Sequence, residues 1–368
     1  MKRSFYRLTM YLLATAAGLS GSAARAAEPP PMPDFPVDAA TRLQVIDGVL
    51  ARLNESYVFP DKAKAMEKAV RERQKKKEYD TIASGPALCQ KLTADLQTVS
   101  HDKHLRVFCS AQPRQVDDQR GEPSEAERER QRQFARQTNH GFERVERLRG
   151  NIGYLDLRYF GDPELSGPTC AAAMNFLKDT DALIIDLREN HGGEPAMIAL
   201  LTTYLFAGEP VHLNDIYWRP DNSTHQWWTL PYVPGERHAG KDVYVLTSKT
   251  TFSGGEEFSY NLKNLKRATL IGEVTGGGAH PVQFRSVTPH FAVSVPAGRA
   301  INPITKTNWE GTGVQPDIVM PAADALRAAH VMALEKARGK TTDPEHRERL
   351  SRAIEELKNA SAEVRPRG

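Results

Sequence analysis

A serine at the start of a helix is the first residue in this chain placed to do chemistry. In Thr250-Thr-Phe-Ser-Gly-Gly-Glu-Glu-Phe, the apolar strand pattern Val243–Thr247 has just ended. A helical pattern begins near Gly254, with Phe258, Leu262 and Leu265 on one face. Ser253 falls at or just before the first turn of that helix. Unpaired backbone N–H groups point outward there, and the helix dipole favours developing negative charge. A serine nucleophile needs such donors beside it to hold an oxyanion. Gly254 and Gly255 let a substrate carbonyl come close to the backbone. A plain helix-capping serine carries the same local signature, so this loop alone does not make Ser253 a nucleophile.

Two further loops place glycines where a strand ends. Asp186-Leu-Arg-Glu-Asn-His-Gly-Gly-Glu follows the most apolar strand pattern, and Gly192 and Gly193 offer more N–H donors or simply make a tight turn. Thr275-Gly-Gly-Gly-Ala-His-Pro lacks the Lys-Ser/Thr ending of a phosphate loop. A weak nucleophile also needs a base. His104, in Ser100-His-Asp-Lys-His-Leu-Arg-Val, is one candidate, and His101, His191 and His280 compete for the role. Glu310, in Asn308-Trp-Glu-Gly-Thr-Gly-Val-Gln-Pro-Asp, is placed to orient that base or balance its charge. Spacing alone does not bring these residues together. Neither Cys-x-x-Cys nor His-Glu-x-x-His occurs, so no metal site is expected.

The elements that must position these groups read as follows. Lys2, Arg3 and Arg7, an apolar stretch from Met10 to about Leu19 and Ala24-Arg25-Ala26 have the layout of a secretory leader over residues 1–26. The chain is therefore expected to be exported, periplasmic or secreted, with no stable transmembrane anchor after processing. The full chain of 368 residues carries a net charge of +3. Without the four leader cations it is near −1, so the charge gives no reason to expect nucleic-acid binding. Residues 27–38 read as a linker. Residues 39–110 read as a helical bundle, with Leu43, Ile46, Val49, Leu50 and Leu53 on one face of its first helix and a break at Phe59-Pro60. The segment 111–142 is dominated by charge and reads as a solvated helix or linker. Over 143–340, short apolar strands (Asn151–Leu157, Ala182–Leu187, Val243–Thr247, Ala268–Gly272) alternate with helices, which argues for an α/β core. Residues 341–368 read as an amphipathic helical tail. Three cysteines, Cys89, Cys109 and Cys170, allow one disulfide, and the sequence does not choose the pair. Trp218, Trp227, Trp228 and Tyr232 either line an apolar or peptide groove or pack as an aromatic hairpin.

Taken in order, these motifs resemble the C-terminal-processing (tail-specific) serine peptidases. The similarity is to the tricorn-like branch without a PDZ domain that includes the interphotoreceptor retinoid-binding protein modules. The matching stretches are Tyr57-Val-Phe-Pro, Asp102-Lys-His-Leu-Arg-Val, Asp186-Leu-Arg-Glu-Asn-x-Gly-Gly, Thr251-Phe-Ser-Gly-Gly-Glu-Glu-Phe, Ile271-Gly-Glu-x-Thr-Gly-Gly-Gly-Ala-His and Gly311-Thr-Gly-Val-Gln-Pro-Asp. The resemblance implies a crotonase-like (ClpP-like) β-β-α spiral core behind an N-terminal helical bundle. It implies Ser253 as nucleophile, His104 as base and Glu310 as its partner. It also implies oxyanion donors at Gly254 and at Gly192 or Gly193, no cofactor, and a peptide or protein substrate. Classical members pair their serine with a lysine, and the matching region here is Gly276-Gly-Gly, with Lys263 and Lys266 the nearest lysines. A PDZ domain does not fit into 111–142. The retinoid-binding relatives make a non-catalytic binder of apolar ligand or peptide the rival expectation, and an esterase is the third.

Overall fold

The computed structural model describes residues 33–113 and 125–363, the last four by backbone only. The expected leader, most of the linker and part of the charged segment lie outside the described residues. In chain order the elements begin with α1 (Ala39–Ser56), α2 (Pro60–Lys75), α3 (Gly85–Ser100) and β1 (Arg106–Cys109). They continue with α4 (Glu125–Gln137), β2 (Phe142–Leu148), β3 (Ile152–Leu157), α5 (Pro163–Phe176), β4 (Ala182–Asp186) and α6 (Pro195–Thr203). Next come β5 (His212–Trp218), β6 (Ser223–Trp228), β7 (Asp242–Thr247), α7 (Gly254–Asn264) and β8 (Thr269–Gly272). The chain closes with β9 (Val282–Thr288), β10 (Phe291–Pro296), β11 (Gly298–Ile301), β12 (Ile318–Val319), α8 (Ala322–Lys340) and α9 (Pro344–Glu363). This is a mixed α/β chain. Its elements fall into two compact units, the first made of the described residues up to 113 with Trp218–Ser223 and His280–Arg299, the second of the remainder.

The first unit is more than the expected helical bundle. Its three helices pack with an antiparallel sheet of order β1-β10-β9, two strands of which come from far along the chain. Val45, Ile46, Val49, Leu50 and Leu53 of α1 and Leu88, Leu92 and Leu96 of α3 share one core with Val107, Phe291, Val293 and Val295 of the sheet. α1 ends before Pro60, which starts α2 as its first residue, where a missing N–H costs nothing. Gly48 lets α1 lie close on β9, because a β-carbon there would stand 2.5 Å from Val287.

The second unit is a three-layer sandwich. Its sheet has order β12-β8-β7-β4-β3-β2, parallel except for the β2–β3 pair. Strict alternation along the strands builds two cores. Leu183 and Ile185 of β4, with Val243 and Val245 of β7, pack with Met174, Met197, Leu201, Phe258 and Leu262 from α5, α6 and α7. Ala182 and Ile184, with Tyr244 and Leu246, pack with Ala325, Ala329, Leu334, Leu350 and Ile354 from α8 and α9. Burial on both faces explains why these strands read as nearly continuous apolar runs. The charged α4 has one buried residue, Ala135. No helix among the described residues is long and apolar enough to cross a membrane.

Candidate functional site

In the second unit the C-terminal ends of parallel strands lead into the three glycine-bearing loops, so the sheet itself gathers them. Ser253 lies between β7 and α7 as the residue capping α7. Its φ of 52° and ψ of −116° are a strained conformation for a residue with a side chain. An ordinary capping serine would spend its hydroxyl on the N–H three residues on. Here the Glu256 N–H goes instead to the Ser253 carbonyl oxygen at 2.9 Å. The cap is made by Glu256, whose Oε2 accepts the Ser253 N–H at 2.8 Å.

Glu256 is fully buried and was not among the residues expected to matter. Besides Ser253, its carboxylate accepts hydrogen bonds from Thr275 Oγ1 at 2.5 Å, Gly277 N at 2.6 Å and Gly278 N at 2.9 Å. Burial raises its pKa above the ordinary carboxylate value, and these hydrogen bonds offset that only in part. The signal for it was present: Ser253-Gly-Gly-Glu256 is the serine-x-x-glutamate spacing of a capping box. One carboxylate thus ties the Ser253 turn to the glycine loop 275–278.

The Asn190–Gly193 turn stands against the same serine. Gly192 has φ +105°, and a β-carbon on it would lie 2.7 Å from Ser253 Cβ and 2.9 Å from Gly254 N. Gly193 has φ +135°, and a β-carbon there would lie 2.0 Å from the Phe160 carbonyl oxygen. Neither position admits a side chain. The Gly192 N–H donates to Asn190 Oδ1 at 2.9 Å. A β-carbon placed on Gly254 would lie 2.9 Å from Gly193 N, so the Gly193 and Gly254 amides are close neighbours. Buried Asn190 organises the turn: its Nδ2 donates to Leu157 O at 2.8 Å, and its carbonyl accepts the Phe252 N–H at 3.0 Å.

Glu310 belongs to the same unit. Its Oε2 accepts the Ala279 N–H at 2.6 Å, and the neighbouring Trp309 Nε1 donates to Gly278 O at 2.7 Å, so the loop around Glu310 is fastened to the glycine loop. Lys263 bonds Gln315 O at 2.6 Å and pairs with Asp317 at 3.2 Å, which occupies one of the two lysines near Ser253 in sequence. His191 is exposed.

The other histidines expected as candidates lie in the first unit. His104 follows α3 and precedes β1. Its N–H donates to Asp102 Oδ1 at 3.1 Å, and its carbonyl accepts the Ser294 hydroxyl at 2.6 Å. Burial pulls its imidazole pKa down to about 4, against the opposing pull of the Asp102 charge. That keeps the ring neutral, the state a general base requires. Asp102 is 1% exposed and does more than hold that loop. Its Oδ2 also accepts from Tyr57 Oη at 3.2 Å and pairs with His280 Nδ1 at 2.7 Å. His280 is buried, with its ring edge-on to Phe59 at 5.4 Å between centroids. His101 is an exposed left-handed residue that ends α3. The aromatic stretch is mixed: Trp218 is buried in the first unit, while in the second Trp228 stacks on His212 at 4.3 Å and Tyr232 is 74% exposed.

Comparison with known proteins places most of the chain in two family models. The model of "Peptidase family S41" matches residues 151–320, and that of the "N-terminal domain of Peptidase_S41 in eukaryotic IRBP" matches residues 40–139. Among solved structures, a protein from Parabacteroides merdae ATCC 43184 described as a candidate peptidase aligns with a TM-score of 0.57 at 16% identity, over 82% of this chain and 99% of its own. A lipoprotein from Streptococcus agalactiae aligns with a TM-score of 0.53 at 13% identity, over 82% of this chain and 98% of its own. These two share the fold. The photosystem II D1 C-terminal processing protease aligns at 20% identity over 46% of this chain, with a TM-score of 0.38. The chain spans only 42% of that protease's length.

Proposed function

The chain belongs to peptidase family S41, and we propose on that premise that it is a serine endopeptidase that cleaves peptide bonds through an acyl-enzyme on Ser253. The observation that carries this reading is the turn at Ser253. A strained φ of 52° at the mouth of a helix, with the Gly254 and Gly193 amides adjacent, suits a nucleophile beside an oxyanion hole. In this reading Ser253 Oγ attacks the scissile carbonyl. His104 takes the proton and returns it to the leaving amine, and Glu310 steadies the imidazolium. The Gly254 and Gly193 N–H groups hold the tetrahedral oxyanion, a contribution of about 10²–10³ in rate per donor. Asp102 acts at one remove, by fixing the backbone on which His104 sits. Water then releases the acyl group by the same route in reverse. This route calls on no cofactor.

The same reading takes the core to be the crotonase-like spiral of the tail-specific branch. It takes the substrate to be a peptide or protein met in the cell envelope or beyond it, after export and leader removal. The exposed rings of Trp228 and Tyr232 support a second reading, a module that binds an apolar ligand or peptide without cutting it. An esterase would use the same acyl chemistry. Side-by-side turnover of peptides and esters by wild type and Ser253→Ala separates the three. Peptide cleavage lost in a variant of unchanged Tm is expected, and cleavage retained by Ser253→Ala overturns the proposal.

A further inference from the structure

The core of the first unit holds two cysteines that no part of the proposed reaction uses. Cys89 lies on α3 and Cys109 on β1, 3% and 8% exposed, and the Cys89 thiol is hydrogen-bonded to Cys109. Both are thiols in this structure, as is Cys170.

Helix and strand run past one another in a regular register. Gln97 Nε2 of α3 donates to Leu105 O at 2.9 Å. Four residues back along the helix, Thr93 Oγ1 accepts the Val107 N–H at 2.9 Å, two residues on along the strand. Four helical residues advance about 6 Å and two strand residues about 6.6 Å, so the rungs stay in step. The next rung pairs residue 89 with residue 109. A short threonine side chain spans its rung, which keeps the backbones near the Cα separation of about 4.4–6.8 Å that a disulfide bridges.

We propose that Cys89 and Cys109 are a disulfide site, and that the bond staples α3 to β1 across the segment carrying Asp102 and His104. Cys170 is excluded as a partner because it sits on α5 in the separate core of the second unit. The step is a two-electron oxidation. Each thiol gives up one proton and one electron, a sulfur–sulfur bond forms, and a disulfide oxidant such as oxidised glutathione becomes two thiols. The thiolate is the attacking species, and the hydrogen bond to Cys109, together with burial, raises the Cys89 pKa well above the usual thiol range. The bond therefore forms during folding rather than in the closed native core. Its two ends flank the turn that positions His104, so it would hold that turn in place even when the helix frays.

The bond needs an oxidising medium, which the refolding buffer supplies, and its failure to form there would leave the peptidase reading standing. The test uses the full chain, reduced and denatured, then refolded in a glutathione redox buffer, acid-quenched and alkylated in denaturant. Peptide mapping without reduction is expected to show Cys89 joined to Cys109 and Cys170 alkylated. Alkylation of both Cys89 and Cys109, glutathione adducts at either, or a bond to Cys170 would overturn the proposal. Reductant should then lower the Tm of wild type and of Cys170→Ala but not of Cys89→Ala. An equal shift in Cys89→Ala would show that the bond is not the staple proposed.

Discussion

The Glu256 carboxylate accepts the backbone N–H of Ser253 at 2.8 Å, so the residue that closes the first turn of α7 also sets the backbone of the proposed nucleophile. The same carboxylate binds Thr275, Gly277 and Gly278, all as donors. Glu256→Gln replaces one acceptor oxygen with an amide that faces donors. A variant stability loss of about 2–4 kcal/mol is expected, within the range for breaking a buried charged network. Peptide turnover should fall further than the folded fraction does, because Ser253 loses its fixed φ. Denaturation and kcat measured on one preparation check this, and an unchanged kcat with a full fold would show that Glu256 serves the cap alone.

Gly192 admits no side chain because a β-carbon would sit 2.7 Å from Ser253 Cβ at φ +105°. Gly192→Ala should displace Ser253 and reduce kcat by about 10² or more, since a misplacement of about 1 Å is enough for that. KM should change little. Gly255→Ala, whose β-carbon meets Asn190 Oδ1 at 2.7 Å, should act more mildly through Asn190. Steady-state kinetics of both variants, with Tm as a folding control, distinguish the two.

Two histidines share Asp102 through different atoms, His280 by its ring and His104 by its backbone N–H. If His104 is the base, His104→Ala should abolish turnover. His280→Gln should lower kcat only partly and leave the shape of its pH profile intact. With the His104 pKa held near 4 by burial, the acid limb of kcat/KM in wild type should lie near pH 4 rather than near 6.5. A limb far from pH 4 would contradict His104 as the base, and complete loss in His280→Gln with His104→Ala active would reassign the base to His280.

Glu257, one turn into α7, is buried, and desolvation lifts its pKa from 4.5 to about 7. The native chain therefore binds more protons than the unfolded chain between these values, and this group's contribution to stability falls as pH rises from 4.5 through 7. Glu257→Gln removes that loss. Relative to wild type it should gain stability on going from pH 4 to pH 8, by on the order of 3 kcal/mol at most. Denaturant titrations at the two pH values check the sign, and a variant whose deficit grows with pH would contradict it.

The sequence made the second unit readable because its strands are buried on both faces and its glycine loops follow each strand end. Ser253, Gly254 and Gly193 lie on those loops, and Glu310 lies on the loop fastened to one of them. Glu256 is legible in the serine-x-x-glutamate spacing of a capping box, but its bonds to the glycine loop join residues 19 to 22 positions apart, which local spacing does not show. The Asp102–His280 pair was not legible, because 178 residues separate the partners and neither lies in a periodic pattern. For the same reason the first unit reads as helices alone. Its sheet is completed by β9 and β10, which local propensity cannot assign to a distant partner. The Asn190 side chain that receives the Gly192 N–H was likewise not legible as its partner in the sequence.

The most direct test of the account is covalent capture at Ser253. The full chain is incubated with a fluorophosphonate probe, and the adduct is mapped by peptide mass spectrometry. The account predicts one stoichiometric adduct on Ser253, absent in Ser253→Ala and slowed in His104→Ala. No adduct on folded wild type, or an adduct that persists in Ser253→Ala, would contradict it.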